Sequence, residues 1–222
     1  GRGAVHPILP ADLAAQSLQA LARQQSGHAL NAGQEAAGRM MFASSDRTIA
    51  IQGVAGAGKS SVLAPAARLF EAEGRKVMGL AVQNTLVRML ERETGIPSMT
   101  VARFVRAYGS DAKVPASGSL KGSILIVDEA SMLANAGQLK LIEIANRHDV
   151  GRLIFVGDAR QLGAVDAGKP FALIQHAGIE TARMDDNVRA RDDTVRAVAA
   201  AAQAGDVTKA MQLLGGKLVE TN

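Results

Sequence analysis

Two hydrophobic periodicities alternate along most of this 222-residue chain. From Asp12 to about Gln24, Leu13, Leu18 and Leu21 recur among alanines and predict an amphipathic helix. After the polar break SGHALN, a second helix is expected behind Asn31, with Gln34 three positions on completing a capping-box pattern. Short apolar runs and helical stretches then take turns. RTIAIQGV reads as a strand, Ser60 to Glu73 as a helix closed by Gly74, KVMGLAV as a strand, and Thr85 to Glu93 as a helix ending at Gly95. Thr100 to Tyr108 predicts a short helix, and GSDAKVPASGSLKG a long loop. SILIV and RLIFV read as short, wholly apolar strands with a helix between them around Ala136 to Arg147, and beyond Asp192 the pattern is helical again.

Apolar strands separated by helices predict an α/β fold: a parallel sheet covered by helices on both faces, with N-terminal helices and a helical C-terminal end. One strand ends oddly. RLIFV runs into Gly157 and Asp158 and then offers Arg160 and Gln161, so a buried strand finishes in a cluster of polar groups.

Composition narrows the possibilities. At 47% hydrophobic, the chain can bury the core of one large domain or two small ones. Aromatic residues are 3% of the total, which leaves few rings for stacking nucleic-acid bases. A net charge of +4 is compatible with a polyanionic partner without requiring one. The absence of Cys excludes disulfides and thiolate metal sites and suits a reducing cytoplasm, and the four His are too scattered to suggest a metal centre. No apolar run reaches the ~18 residues a membrane span needs, so no membrane partner is expected. The first residue is Gly, and the closing GGKLVETN starts a strand-like run and stops; a piece of a longer polypeptide is expected. The division anticipated is a helical segment over 1–30, one domain over 31–216, and the start of another region at 217–222.

After the strand RTIAIQ comes GVAGAGKS, which matches the P-loop pattern at every fixed position and stands between a strand and a helix. Gly53, Gly56 and Gly58 let the backbone turn tightly and aim amide N–H groups at phosphate oxygens, at the positive end of the following helix. Val54, Ala55, Ala57 and Ser61 complete the expected cradle. Lys59 is placed to reach the β- and γ-phosphates, and the Ser60 hydroxyl to ligate Mg²⁺. A glycine-rich turn that merely passes strand into helix would not explain Lys59 and Ser60.

A second chemical signal follows SILIV, which runs directly into Asp128 and Glu129. In an open parallel sheet the ligand lies beyond the carboxyl ends of the strands, so these carboxylates are expected at the phosphate end. Asp128 would hold Mg²⁺, directly or through water, and Glu129 would take a proton from an attacking water. The alternative is an acidic pair that only caps the next helix. A nucleotide kinase has no need of the adjacent glutamate, because its acceptor is not water.

GVAGAGKS, VDEASM, VGDARQL and NVRARD, in that order, resemble the successive motifs of superfamily 1 helicases of the RecD-like branch. The likeness is closest to the helicase portion of conjugative relaxases of the TraI/TrwC type, and it runs from about Asn31 to Gly216. It implies a RecA-like lobe that binds ATP and Mg²⁺, with the strand bearing VGDARQL between the P-loop strand and the acidic strand. Gln34 would then read the adenine, unless it only completes the capping box. Gln161 would stand beside the γ-phosphate, Asp158 near the metal, and Arg189 would reach the γ-phosphate, with Arg183 and Arg191 as weaker choices for that role.

The resemblance also implies single-stranded DNA as partner, a second RecA-like lobe and a relaxase domain in the same longer chain, and a bacterial cytoplasmic location. Two departures matter. Ala81, Val82 and Gln83 stand where the family has an Ala-Pro-Thr-like motif that touches DNA, and Ala190 follows Arg189 where glutamine is usual. Gln83, Thr100 and Arg103 are the expected DNA contacts, although Val101 and Phe104 would fix the same helix to the core. Two other functions share this scaffold: a single-stranded-DNA clamp with little ATPase, and a RecD-like repair helicase subunit.

Overall fold

The computed structural model describes residues 4–54, 56–110, 119–158 and 178–184, together with Phe171, Gln175 and Lys209. Helices α1 (Ala11–Ser26) and α2 (Ala32–Ala43) precede β1 (Thr48–Gly53) and α3 (Lys59–Ala72). Then come β2 (Val77–Ala81), α4 (Asn84–Thr94), β3 (Ser98–Thr100), α5 (Val101–Tyr108), β4 (Ile124–Val127), α6 (Asn135–Arg147), β5 (Arg152–Gly157) and β6 (Glu180–Met184). The helices agree with the periodicity to within one or two residues. Strands β3 and β6 are additions: β3 is only three residues long, and β6 buries only Ala182 and Met184, so neither carries an apolar run. The helical pattern beyond Asp192 lies outside the described residues, Lys209 excepted.

The six strands form one sheet in the order β3-β2-β4-β5-β1-β6, and every pairing is parallel. The carboxyl ends of all strands therefore share one edge. Strand β5 lies between β4 and β1, as the helicase likeness implies, with Gln52 opposite Gly157 and Val127 opposite Phe155. The doubled pattern of the apolar strands is explained by two cores. Ile49, Ile51, Ile124, Ile126, Ile154 and Val156 face one, under α1, α2 and α3. Leu80, Leu125, Val127, Leu153 and Phe155 face the other, under α5 and α6. Burying both faces of a parallel sheet removes nearly every polar position from its central strands.

Local signals fix the helix ends. Asn31 and Gln34 form the anticipated capping box: the Asn31 side chain accepts from the Gln34 N–H at 2.8 Å, and the Gln34 side chain accepts from the Asn31 N–H at 3.0 Å. Helix α1 packs on α2 and α3 through Leu18, which lies so close to Gly38 that a side chain there would collide with it at 2.5 Å.

RLIFV is not apolar throughout. Arg152 is fully buried at the amino-terminal edge of the sheet, where its guanidinium donates to the carbonyls of Ser44, at 2.8 Å, and Asp46. Burial lowers its pKa to about 10, so it remains charged at neutral pH, and Glu180 nearby favours the cation. Ser44 Oγ in turn donates to Glu180 at 2.5 Å, which ties β6 to the same knot. Arg152→Met is expected to lower the unfolding free energy by about 2–4 kcal/mol, because it leaves buried carbonyls without donors. An unchanged urea midpoint would show that those carbonyls find other partners.

Candidate phosphate and metal site

The P-loop leaves β1 at Gly53 and enters α3 at Lys59. Gly56 and Gly58 take φ of 82° and 72°, left-handed conformations in which a side chain is strained, and Gly58 is the N-cap of α3. Val54 and Ala57 are buried and joined by a hydrogen bond from the Ala57 N–H to the Val54 carbonyl, while Ser61 donates its N–H to the Gly58 carbonyl. Ala55 lies outside the described residues. Gln34 reaches this loop from α2. Its side-chain amide donates to the carbonyls of Ala57 and Gly58, both at 3.2 Å, while its oxygen closes the capping box. Both amide protons are engaged, so without a bond opening Gln34 can meet adenine only as an acceptor, through the second lone pair of its oxygen.

The acidic pair meets the P-loop as expected. Lys59 Nζ lies 3.1 Å from Glu129 Oε1, in a pair that is mostly buried. Glu129 has a φ of 47°, in the left-handed region that a glutamate adopts only under constraint. The turn that follows, Ala130–Met132, is clamped by Gln138 of α6, whose amide donates to the carbonyls of Ala130 and Leu133, both at 3.1 Å. Sequence reading missed Gln138 because it sits within an ordinary amphipathic helix. Asp128 Oδ1 and Glu129 Oε2 are buried without hydrogen-bond partners among the described residues. Burial, and then the Glu129 charge, push the Asp128 carboxyl above its ordinary value, while Lys59 pulls it back. Unpaired carboxylate oxygens in a site that penalises negative charge suit a cation.

The odd end of RLIFV is explained by this geometry. Gly157 passes so close to the acidic turn that a Cβ would meet the Ser131 amide nitrogen at 3.0 Å and that of Ala130 at 3.3 Å. A side chain at 157 would press the turn back by a few tenths of an ångström, so glycine suits the strand that delivers Asp158 beside the turn. Asp158 is buried and accepts a hydrogen bond from Gln52 of β1 at 2.8 Å, and Gln175 donates to Gln52 at 3.3 Å. Gln52 thus links the P-loop strand to β5, a role no local pattern signals. Gln161, Arg160, Arg189 and Arg191 lie outside the described residues. Arg183 is exposed on β6, in register with Gln52.

The expected DNA contacts share the same sheet edge. Thr100 pairs with Ala81 across β3 and β2, and Gln83 is the exposed N-cap of α4. The Thr100 hydroxyl accepts from the Arg103 N–H at 3.3 Å and so caps α5, while Arg103 is exposed. Among the described residues no helix is long and apolar enough to cross a membrane, and no three His, Asp or Glu are grouped to hold an ion by themselves. Magnesium sites in phosphate-binding proteins commonly rely on one or two protein ligands plus phosphate oxygens and water.

Comparison with known proteins identifies the family. The family described as AAA domain matches residues 29–217. The multifunctional conjugation protein TraI of Escherichia coli K12 is 30% identical over 174 residues, which cover 76% of this chain and 10% of that protein. The conjugal transfer protein TraA of Agrobacterium fabrum is 28% identical over 168 residues, covering 75% and 15%. The ATP-dependent RecD2 DNA helicase of Deinococcus radiodurans is 33% identical over 135 residues, covering 59% and 18%. The chain thus spans less than a fifth of the length of each of these relatives. The chain belongs to the AAA domain family, as a RecD-like lobe of superfamily 1 close to the TraI/TrwC type.

Proposed function

We propose that this chain is the ATP-binding and hydrolysing motor lobe of a DNA helicase within a conjugative relaxase. The observation that carries the reading is the meeting of Lys59 and Glu129 at 3.1 Å, with Ser60 and Asp128 at the same sheet edge. A protein that only held DNA would have no use for a glutamate placed to activate water.

In the proposed mechanism the amides of Gly56 to Ser60 and the Lys59 ammonium cradle the triphosphate. Ser60 and Asp128 would hold Mg²⁺, which when bound neutralises phosphate charge. Glu129 accepts a proton from the attacking water as the water oxygen bonds to the γ-phosphorus and the bond from that phosphorus to the bridging oxygen breaks, releasing ADP and phosphate. Gln161 reports the γ-phosphate to the DNA-binding edge at Gln83, Thr100 and Arg103, and Arg189 stabilises the charge that builds on the transferred group. Residues 31–216 form the first RecA-like lobe on this reading. The second lobe and the relaxase domain belong to the longer chain, which works on single-stranded DNA in the bacterial cytoplasm.

Titration with a fluorescent ATP analogue tests the proposal. The expected result is saturable, Mg²⁺-dependent binding with weak hydrolysis and no strand separation, since a lone lobe cannot close a cleft around ATP. Competition by GTP reports the base preference expected of Gln34. Single-stranded-DNA binding without any nucleotide binding would overturn the motor reading in favour of a clamp.

A further inference from the structure

Glu93 belongs to none of the motifs, yet it touches the P-loop. Ser60 Oγ donates a hydrogen bond to Glu93 Oε2 at 2.5 Å. Glu93 is also among the charges that raise the Asp128 carboxyl, behind burial and Glu129. It stands in the last turn of α4, and that end of the helix is held firmly. Leu90 packs against Gly79 so closely that a Cβ there would meet it at 2.6 Å, and would meet the Ser98 hydroxyl at 2.1 Å. Thr94 Oγ1 donates to the Leu90 carbonyl at 2.5 Å and accepts from the Ile96 N–H, and Glu91 accepts from the Ser98 N–H at 3.0 Å.

A serine hydroxyl has one proton and two lone pairs. When a carboxylate takes the proton, the lone pairs are left to face elsewhere, and the oxygen becomes a better donor to a cation. We propose that Glu93 is a positioning residue for the magnesium site: by accepting the Ser60 proton it turns Ser60 Oγ toward the metal, and its charge adds to the attraction. The inference rests on the nucleotide reading of the P-loop. It gives α4 two functional ends, because the helix begins at Gln83, an expected DNA contact, and finishes at the serine that would ligate the ion.

The test is a Mg²⁺ titration of fluorescent-ATP-analogue binding with wild type, Glu93→Gln and Glu93→Ala, alongside the affinity for the analogue in EDTA. Glu93 is exposed, so both variants should fold, and a urea melt checks that they do. The Mg²⁺ concentration for half-saturation is expected to rise about tenfold or more for Glu93→Ala. It should rise less for Glu93→Gln, which keeps a neutral acceptor, while the affinity in EDTA should not fall, since a negative charge leaves the loop. An unchanged Mg²⁺ requirement overturns the proposal. A lowered one overturns it too, by showing that Glu93 competes with the ion for Ser60. Failure of the wild type itself to bind nucleotide would instead refute the motor reading and is visible before any variant is made.

Discussion

Lys59→Ala is expected to weaken binding of an ATP analogue by about 10- to 100-fold, the effect of losing a charge-assisted contact to phosphate. Two effects add in this variant. The phosphate loses its cation, and Glu129, whose Oε1 is 3.1 Å from Lys59, loses its partner in a site where the other oxygen is already buried and unpaired. The second loss leaves a carboxylate facing the incoming triphosphate, so repulsion adds to the missing attraction. Equilibrium titration measures the sum. Equal affinity of wild type and variant would mean that the loop binds no triphosphate in the manner proposed.

Glu129→Gln is expected to act in the opposite direction on binding and much more strongly on turnover. Single-turnover hydrolysis should fall by about 10²- to 10⁴-fold, the range for removing a general base. Nucleotide affinity should rise, because Lys59 is freed from its ion pair and a negative charge leaves the site. Glutamine is chosen over alanine or glycine for a backbone reason. Glu129 sits at a φ of 47°, and a side chain of the same shape keeps that strain constant, so the change reports chemistry and not relaxation of the turn. Unchanged hydrolysis would remove Glu129 from the mechanism.

The sequence made the chemistry more legible than its supports. GVAGAGKS could be read because each fixed position answers a local demand: positive φ at Gly56 and Gly58, charge at Lys59, a hydroxyl at Ser60. Asp128 and Glu129 stood out because they end an apolar strand. The place of β5 between β4 and β1 came from the resemblance to helicases, not from any periodicity. Gln52, Glu93 and Arg152 were invisible for one physical reason, and Gln138 for another. Gln52 meets a residue 106 positions away, Arg152 meets carbonyls 106 and 108 positions away, and Glu93 meets one 33 positions away. Such partners are set by topology, and Gln138, whose partners are near, hides inside a helix whose pattern has no need of it. Strands β3 and β6 escaped because edge strands need little apolar length, their ladders being completed by a neighbour on one side only.

The position of β1 in the sheet has a consequence for how the molecule is made. Its neighbours are β5 and β6, which follow it by more than a hundred residues, whereas β3, β2 and β4 can join one another once Val127 has been synthesised. At ribosomal rates β1 waits about 5–25 s for the partners that flank it. The strand carrying the P-loop is thus written early and seated last. On a nascent chain, nucleotide binding should appear abruptly after Met184 has left the exit tunnel, and until then the unpaired backbone edges of β1 are the part of the fold most in need of a chaperone.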